Sequence, residues 1–150
     1  MDARGNGQID LSQYTLTFEE EFDTLDVSAW GPGTRWIAHT PWGGDFGKAK
    51  FVNPRPTHPF TLSEGILEIR AWKGRDGRWL SGLLSSVDAK GKGFKQKFVY
   101  FEMRAQLPPG TGLWPAFWLI GRKGKRYTAE IDIIEHYKLE IKAIKQKNLP

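Results

Sequence analysis

The chain has 150 residues, enough for one domain with a hydrophobic core. It contains no cysteine, which excludes a disulfide framework and a thiolate metal site, and no apolar run approaches the length of a membrane span. The net charge of +5 lies mostly in the last 13 residues, which hold four Lys and one Glu, so it does not indicate a nucleic-acid partner.

The N-terminal part of the chain predicts a tail, one strand and a long irregular stretch. Residues 1–13 are polar, and we expect a loose N-terminal tail. They lack the basic start and apolar stretch of a signal peptide, so either the protein stays in the cytoplasm or its leader is missing from this chain. YTLTFEEEFD, residues 14–23, alternates at first and predicts an opening strand. Residues 31–60 are rich in Gly, Pro, Trp and His, and so long a stretch with few strand signals is more often functional than idle.

The middle of the chain carries the clearest strand patterns. ILEIRAW (66–72) and RWLSGLLSSVDA (78–89) predict the strands of a hairpin, with RDG between them. QKFVYFEMRAQL (96–107) alternates strictly, and LWPAFWLIG (113–121) is a dense aromatic strand. No helical period appears before residue 138, and short strands separated by turns suggest a sandwich or jelly roll.

The stretch AEIDIIEHY, 129–137, places acids inside an apolar strand. Because side chains alternate between the faces of a strand, Glu130 and Asp132 share one face, and Ile131 and Ile133 point the other way, into a core. An amphipathic strand with a solvated face is the alternative that the motif alone leaves open.

The third acid of this stretch requires an irregular strand. Strict alternation would send Glu135 into the core, whereas a β-bulge at Ile133–Ile134 adds one residue and returns Glu135 to the face of the other acids. A retaining glycosidase needs two carboxyl groups roughly 5–5.5 Å apart, one a nucleophile and one an acid/base. Strand positions four steps apart lie about 13 Å from each other. The two Glu tips therefore converge only on a concave sheet.

Two tryptophans precede the acid strand. Trp114 and Trp118 are four residues apart and would share one face of the aromatic strand. If that strand neighbours the acid strand, their rings flank the carboxylates and can stack on a sugar. The alternative is that both are core residues. Pro115 disfavours a central strand position and indicates an edge or an irregular wall.

The order SGLLSS, YFEMRAQLPPGTGLWPAFWLIG and EIDIIE resembles glycoside hydrolase family 16, a group of endo-β-glycanases, over residues 14–137. The resemblance implies an all-β, concanavalin-like β-jelly-roll sandwich with a concave cleft. It implies that Glu130 is the nucleophile and Glu135 the acid/base. Asp132 would hydrogen-bond the nucleophile, so that one carboxyl attacks while the other holds a proton.

The resemblance also implies substrate-binding residues. Trp114 and Trp118 match sugar-stacking positions, and Trp42 begins the stretch WGGDFG, which would fall in the loops that line the cleft. His136 follows the acid/base, but adjacent strand residues face opposite ways, so we interpret it as structural. No cofactor and no metal ligand are assigned, although the family resemblance is compatible with a structural cation on the convex face.

The last residues, 138–150, depart from the family pattern. They are Lys-rich and lack strand alternation, and we interpret them as a basic, non-homologous tail. Since a sandwich of this kind usually takes about 200–250 residues, we interpret 14–137 as a partial domain that is incomplete at its C-terminus, with the acid strand at an exposed edge. We therefore expect weak or no turnover from this chain alone.

The sequence thus predicts a retaining endo-acting glycosidase whose partner is a β-linked polysaccharide, a β-glucan or a related exopolysaccharide. The alternative function is a non-catalytic carbohydrate-binding remnant that uses the same tryptophans. Laminarin, mixed-linkage glucan, agar and a bacterial exopolysaccharide all stay open as substrates, and so does the oligomeric state. No nucleic-acid or membrane partner is predicted. The family resemblance leads us to expect a secreted or periplasmic protein.

Deletion of residues 138–150 tests the interpretation of the tail. Because this segment is basic and has no strand alternation, its removal is expected to leave the melting temperature nearly unchanged. Thermal unfolding of the two forms, followed by circular dichroism, makes the comparison. A fall of several degrees in the shortened form would show that the tail packs against the domain.

Overall fold

The computed structural model describes residues 9–123 and 126–136. The chain divides into two compact units, Met1–Gln96 and Lys97–Pro150. The secondary structure of the described residues is nine β-strands and one short 3-10 helix, which confirms the all-β class. Short strands joined by turns are consistent with a jelly-roll-like fold. In this part of the chain, no helix has both the length and the apolar character needed to cross a membrane.

The predicted domain boundaries stay predictions. The interpretation of 14–137 as one partial domain stays a prediction, as does the loose tail at 1–13, of which the last three residues form the 3-10 helix Leu11–Gln13. The predicted basic tail, 138–150, lies outside the described residues.

The first unit contains seven short strands in three small sheets. These strands are β1 (Val27–Ser28), β2 (Trp36–Ile37), β3 (Ala49–Phe51), β4 (Phe60–Ser63), β5 (Ile66–Ile69), β6 (Trp72–Lys73) and β7 (Trp79–Ser81). β1 pairs in parallel with β2, and β3 pairs in parallel with β7. β4 and β5 form an antiparallel hairpin, and so do β6 and β7.

The predicted hairpin around RDG is confirmed, since β6 and β7 flank that turn and Trp72 lies opposite Leu80. The run 66–72 was predicted as one strand, and that prediction is wrong. It is interrupted between β5 and β6 because its two halves pair with different neighbours, β4 and β7. The backbone N–H of Arg70, at the interruption, donates to the carbonyl of Pro59 at 2.8 Å.

The opening segment, 14–23, forms no strand, which corrects the prediction. Its side chains anchor it instead. The ring of Phe18 meets that of Trp36 edge to face at 5.7 Å, and the carboxylate of Glu20 accepts a hydrogen bond from the Trp36 indole at 2.8 Å. Glu20 also pairs with Arg35 at 2.8 Å. The alternation here reflects side-chain docking rather than a backbone ladder.

The core of the first unit is small. Its buried hydrophobic side chains are Ile37, Ala38 and Phe60. Asp88 is also buried, with 7% of its surface exposed, and its carboxylate accepts hydrogen bonds from the backbone N–H groups of Lys90 and Lys92, both at 2.9 Å. A buried carboxylate is tolerated when such donors satisfy it, so Asp88 fixes the loop that follows it.

The second unit contains an antiparallel hairpin of β8 (Ala116–Lys123) and β9 (Arg126–Glu135).

The strand predicted at 96–107 is not formed. Two side chains expected on one face of this strand do contact each other: the Tyr100 hydroxyl donates to the Glu102 carboxylate at 3.1 Å. This hydrogen bond raises the pKa of Tyr100. A segment becomes a strand only when a neighbour supplies its backbone hydrogen bonds, and the described residues provide none here.

Substitution of Asp88 by Ala is expected to lower the free energy of unfolding by about 1–3 kcal/mol, because two backbone N–H groups lose their acceptor in a buried setting. Asp76→Ala is the matched control. Asp76 accepts a backbone hydrogen bond from Arg78 in the same i, i+2 pattern, but its side chain is exposed. Denaturant unfolding of both variants makes the measurement, and equal effects would contradict the role assigned to Asp88.

Candidate active site

The register between β8 and β9 changes at one point next to the acids. Trp118 lies opposite Asp132, but the preceding residue, Phe117, lies opposite Ile134. The register therefore passes over Ile133, which is the extra residue of a β-bulge. The bulge predicted at Ile133–Ile134 is confirmed.

The bulge places the three acids on one face. Residues directly opposite each other in an antiparallel pair point to the same face of the sheet. The cross-strand pairs are Ile120 with Glu130, Trp118 with Asp132, and Ala116 with Glu135. The three β8 residues alternate along their strand and so share a face, and the three acids share it with them.

A second irregularity lies further along the hairpin. Between Gly121 and Arg122 the register passes over Thr128. A Cβ atom at Gly121 would lie 3.0 Å from the Thr128 hydroxyl oxygen and 3.2 Å from the Ala129 Cβ, so glycine permits this close approach. Bulges bend a strand and increase its twist. Both irregularities lie in β9, so this strand departs twice from a regular ladder.

All three acids are exposed, and this exposure leaves their carboxylates accessible to a substrate. The hydrogen bond implied between Asp132 and Glu130 is not formed in the described part of the chain. The catalytic roles of the three acids stay predictions.

Trp118 lies beside the acids as predicted, half-buried on β8 and directly opposite Asp132. Trp114 does not share the strand, which begins at Ala116 rather than at residue 113. Pro115 explains the shorter strand because it has no N–H for the ladder.

The end of the hairpin is held by one further backbone hydrogen bond. The carbonyl of Pro115 accepts a hydrogen bond from the backbone N–H of His136 at 3.1 Å, which extends the pairing of β8 and β9 by one carbonyl. Trp114 precedes this point and has 49% of its surface exposed. The prediction that Trp114 and Trp118 share a strand face is therefore wrong. The structural role expected of the His136 side chain stays a prediction.

Trp42 is not part of the hairpin, and two isoleucines of β9 are more exposed than predicted. Trp42 belongs to the first unit, in the loop between β2 and β3, and has 44% of its surface exposed. Ile131 and Ile133 were expected in a core, but 61% and 47% of their surfaces are exposed. The described hairpin has two strands, and a face of a two-stranded ribbon is covered only when another layer packs on it.

No cation site is indicated by the described residues. Across 9–123 and 126–136, no group of three or more His, Asp or Glu side chains is placed to hold a metal ion. The three acids of β9 are spaced along the strand rather than gathered around one point.

A polar and aromatic cluster in the first unit was not predicted from the sequence. Trp30 and His39 stack face to face, with ring centroids 4.1 Å apart, and a ring nitrogen of His39 shares a hydrogen bond with the Asn53 side chain at 2.8 Å. These residues lie 9 and 14 positions apart along the chain. Only the richness of residues 31–60 in Trp and His pointed to this region.

Curated proteins with matching sequences carry the names of endo-β-glycanases and of a glucan endo-β-glucosidase. The chain is 34% identical over 150 aligned positions to the endo-1,3-1,4-β-glycanase EglC and 31% identical over 148 to the endo-1,3-1,4-β-glycanase ExsH, both from Rhizobium meliloti strain 1021. It is 27% identical over 144 positions to glucan endo-1,3-β-glucosidase A1 of Niallia circulans. No protein-family profile and no solved structure matches the chain.

The matches confirm the resemblance to endo-β-glycanases, to two of which the chain is homologous over most of its own length. The alignments to the two Rhizobium proteins each cover 85% of the chain. The chain spans about 30% of the length of these relatives. What is shared is therefore one part of a longer enzyme sequence.

Engineered disulfides test the bulge, because the chain has no cysteine of its own. With the bulge, position 116 faces 135, whereas an unbroken register from Trp118–Asp132 would make it face 134. Directly opposed Cβ atoms lie about 4.5–5.5 Å apart, close enough to bridge after a small adjustment. The variant Ala116→Cys/Glu135→Cys is expected to oxidise in dilute solution, and Ala116→Cys/Ile134→Cys is the control. Non-reducing peptide mapping reads the result, and preferential bridging of 116 to 134 would contradict the bulge.

Proposed function

We propose that the chain carries the catalytic strand of a retaining endo-β-glycanase that cleaves a β-linked glucan. The observation that carries the proposal is the register of the hairpin. Because the register passes over Ile133, the acids Glu130, Asp132 and Glu135 lie on one face of the hairpin. Trp118 lies on the same face, paired across the ladder with Asp132. Homology to proteins named endo-β-glycanases supports the same reading.

The proposed reaction proceeds in two steps. Glu130 attacks the anomeric carbon and forms a glycosyl ester, while Glu135 gives its proton to the departing glycosidic oxygen. In the second step Glu135 takes a proton from water, and the resulting hydroxide displaces Glu130 from the anomeric carbon. Two inversions at that carbon give net retention, and both side chains return to their starting protonation states.

Asp132 and Trp118 support these two residues in the proposal. Asp132 lies between the reacting acids, where its protonated form can orient Glu130 by donating a hydrogen bond to the Glu130 carboxylate. Trp118 lies directly across the ladder from Asp132, where its ring can take the apolar face of a sugar beside the scissile bond. Positioning of this kind is needed because small misplacements of the reacting atoms cost on the order of 100-fold in rate.

The proposed substrate is a glucan with β-1,3 or mixed β-1,3 and β-1,4 linkages. The names of the relatives describe those linkages for those proteins. A second candidate function, binding of a polysaccharide without cleavage, is favoured by the exposure of Trp42 and Trp114, 44% and 49% of their surfaces. Glu130→Gln separates the two functions, since it abolishes cleavage and leaves binding.

Rescue by an external nucleophile tests the assignment of the two glutamates. Because the described hairpin offers only two strands, the test uses the full chain and a chimera in which residues 114–136 replace the aligned segment of EglC. With an aryl β-glycoside whose leaving group needs no acid, Glu135→Ala is expected to regain turnover in azide and to give a β-glycosyl azide. Glu130→Ala is expected to form no covalent glycosyl intermediate.

Product NMR in the unaltered chimera supplies the stereochemical control. The first-formed product is expected to keep the β configuration. Inversion would remove the nucleophile role from Glu130, because a carboxyl pair about 6.5–9.5 Å apart admits water directly. An inactive chimera that carries the unaltered segment would contradict the proposal as a whole.

A further inference from the structure

A cavity of about 340 Å³ lies within the first unit, around the stacked rings of Trp30 and His39. Its walls also include the side chains of Lys50, Asn53 and Arg55. The volume is at the small end of the range typical of ligand sites, about 300–1,000 Å³, and fits one or two sugar rings. None of the three acids of β9 lines this cavity.

The aromatic pair is held in a fixed orientation. The rings are within 8° of parallel at 4.1 Å, and the Asn53 side chain fixes the His39 ring through a 2.8 Å hydrogen bond. His39 is buried, with 7% of its surface exposed, whereas Trp30 exposes 47%. One face of the indole is thus covered by the histidine, and the exposed part of Trp30 is available to stack on a ligand. Preorganised aromatic surface binds at a low entropic cost.

The adjacent loop supports this arrangement. Thr40 is buried, and its hydroxyl donates to the carbonyl of Gly43 at 2.6 Å, while the Gly43 N–H donates back to the Thr40 carbonyl at 2.9 Å. Gly43 has a φ of +78°, and a Cβ there would lie 4.0 Å from the outer edge of the Trp30 ring. The loop therefore closes tightly beside the indole.

The cavity carries positive charge at its rim. Lys50 and Arg55 are exposed, and neither forms an ion pair within residues 9–123 and 126–136. The ion pairs in that part of the chain are Arg35–Glu20, Arg70–Glu68 and Arg78–Asp76. Two unpaired cations beside an aromatic platform suit a ligand that is both a sugar and an anion. Arginine in particular matches a carboxylate with two parallel hydrogen bonds.

We infer that this cavity is a binding subsite for a carboxylate-bearing sugar residue, such as a uronic acid, in a β-linked polysaccharide. The inference rests on the proposed function only in that the ligand is a β-linked polysaccharide, and it narrows that ligand from any β-linked glucan to a chain that also carries carboxylate-bearing sugars. It does not depend on cleavage. Trp30 takes the apolar face of the pyranose, Asn53 offers its amide to a hydroxyl, and Arg55 and Lys50 bind the carboxylate. A neutral glucan would leave both cations without a counter-ion.

A matched pair of ligands tests the inference. Cellotetraose and β-1,4-linked tetraglucuronate share backbone and linkage, and they differ only in a hydroxymethyl group or a carboxylate at C6. Titrations by NMR and calorimetry are made on the full chain carrying Glu130→Gln, so that cleavage plays no part. Because exposed ion pairs contribute up to about fivefold each in affinity, we expect tetraglucuronate to bind about five- to tenfold more tightly. The preference is expected to fall steeply at about 0.5 M NaCl, where charges are screened.

Substitutions locate the effect. Arg55→Gln is expected to remove most of the preference and to leave cellotetraose binding unchanged, and Trp30→Ala is expected to weaken both ligands. Arg75→Gln is the control, an exposed arginine in the β6–β7 turn, and should change neither affinity. Equal affinity for the two ligands, no binding of either, or equal effects of Arg55→Gln and Arg75→Gln would each overturn the inference. If azide failed to restore turnover in Glu135→Ala, that outcome would contradict the proposed function. A measured preference for tetraglucuronate would still stand.

Discussion

A β-strand shows every second side chain to one face, and this constraint decides what β9 can do. Glu130 and Glu135 are separated by an odd number of steps, so a regular strand would turn them to opposite faces. One residue without a place in the ladder, Ile133, reverses that outcome. The proposed chemistry depends on this single insertion, because a nucleophile and an acid/base must reach the same glycosidic bond from one surface.

The hairpin around this bulge is arranged to leave the acid face accessible. Pro115 ends the ladder on β8, and Gly121 lets the second irregularity close up. Trp118 is thereby left opposite the central acid, Asp132. The first unit contributes a different kind of surface, in which the Trp30 ring stacks on the buried His39. Both surfaces pair an aromatic ring with polar groups, which is the combination that carbohydrate recognition requires.

What could be predicted from the sequence was local. The all-β class, the RDG hairpin and the bulge follow from the order of neighbouring residues, and the structure confirms them. The strands expected at 14–23 and 96–107 are absent because a strand also needs a partner, and alternation does not reveal one. The exposure of Ile131 and Ile133 has the same origin, since burial depends on a second layer. The stacking of Trp30 on His39 depends on how a glycine-rich loop folds, and no periodic pattern encodes it.

Covalent trapping of the catalytic residue tests the central claim most directly. A 2-deoxy-2-fluoro β-laminaribiosyl fluoride slows hydrolysis of the glycosyl ester and carries a leaving group that needs no acid. Incubation with the full chain and with the EglC chimera, followed by peptide mass spectrometry, is expected to place the sugar on Glu130. The label should persist in Glu135→Gln and disappear in Glu130→Gln. A label on Asp132 or Glu135, or no label on any of the three acids in either protein, would contradict the account.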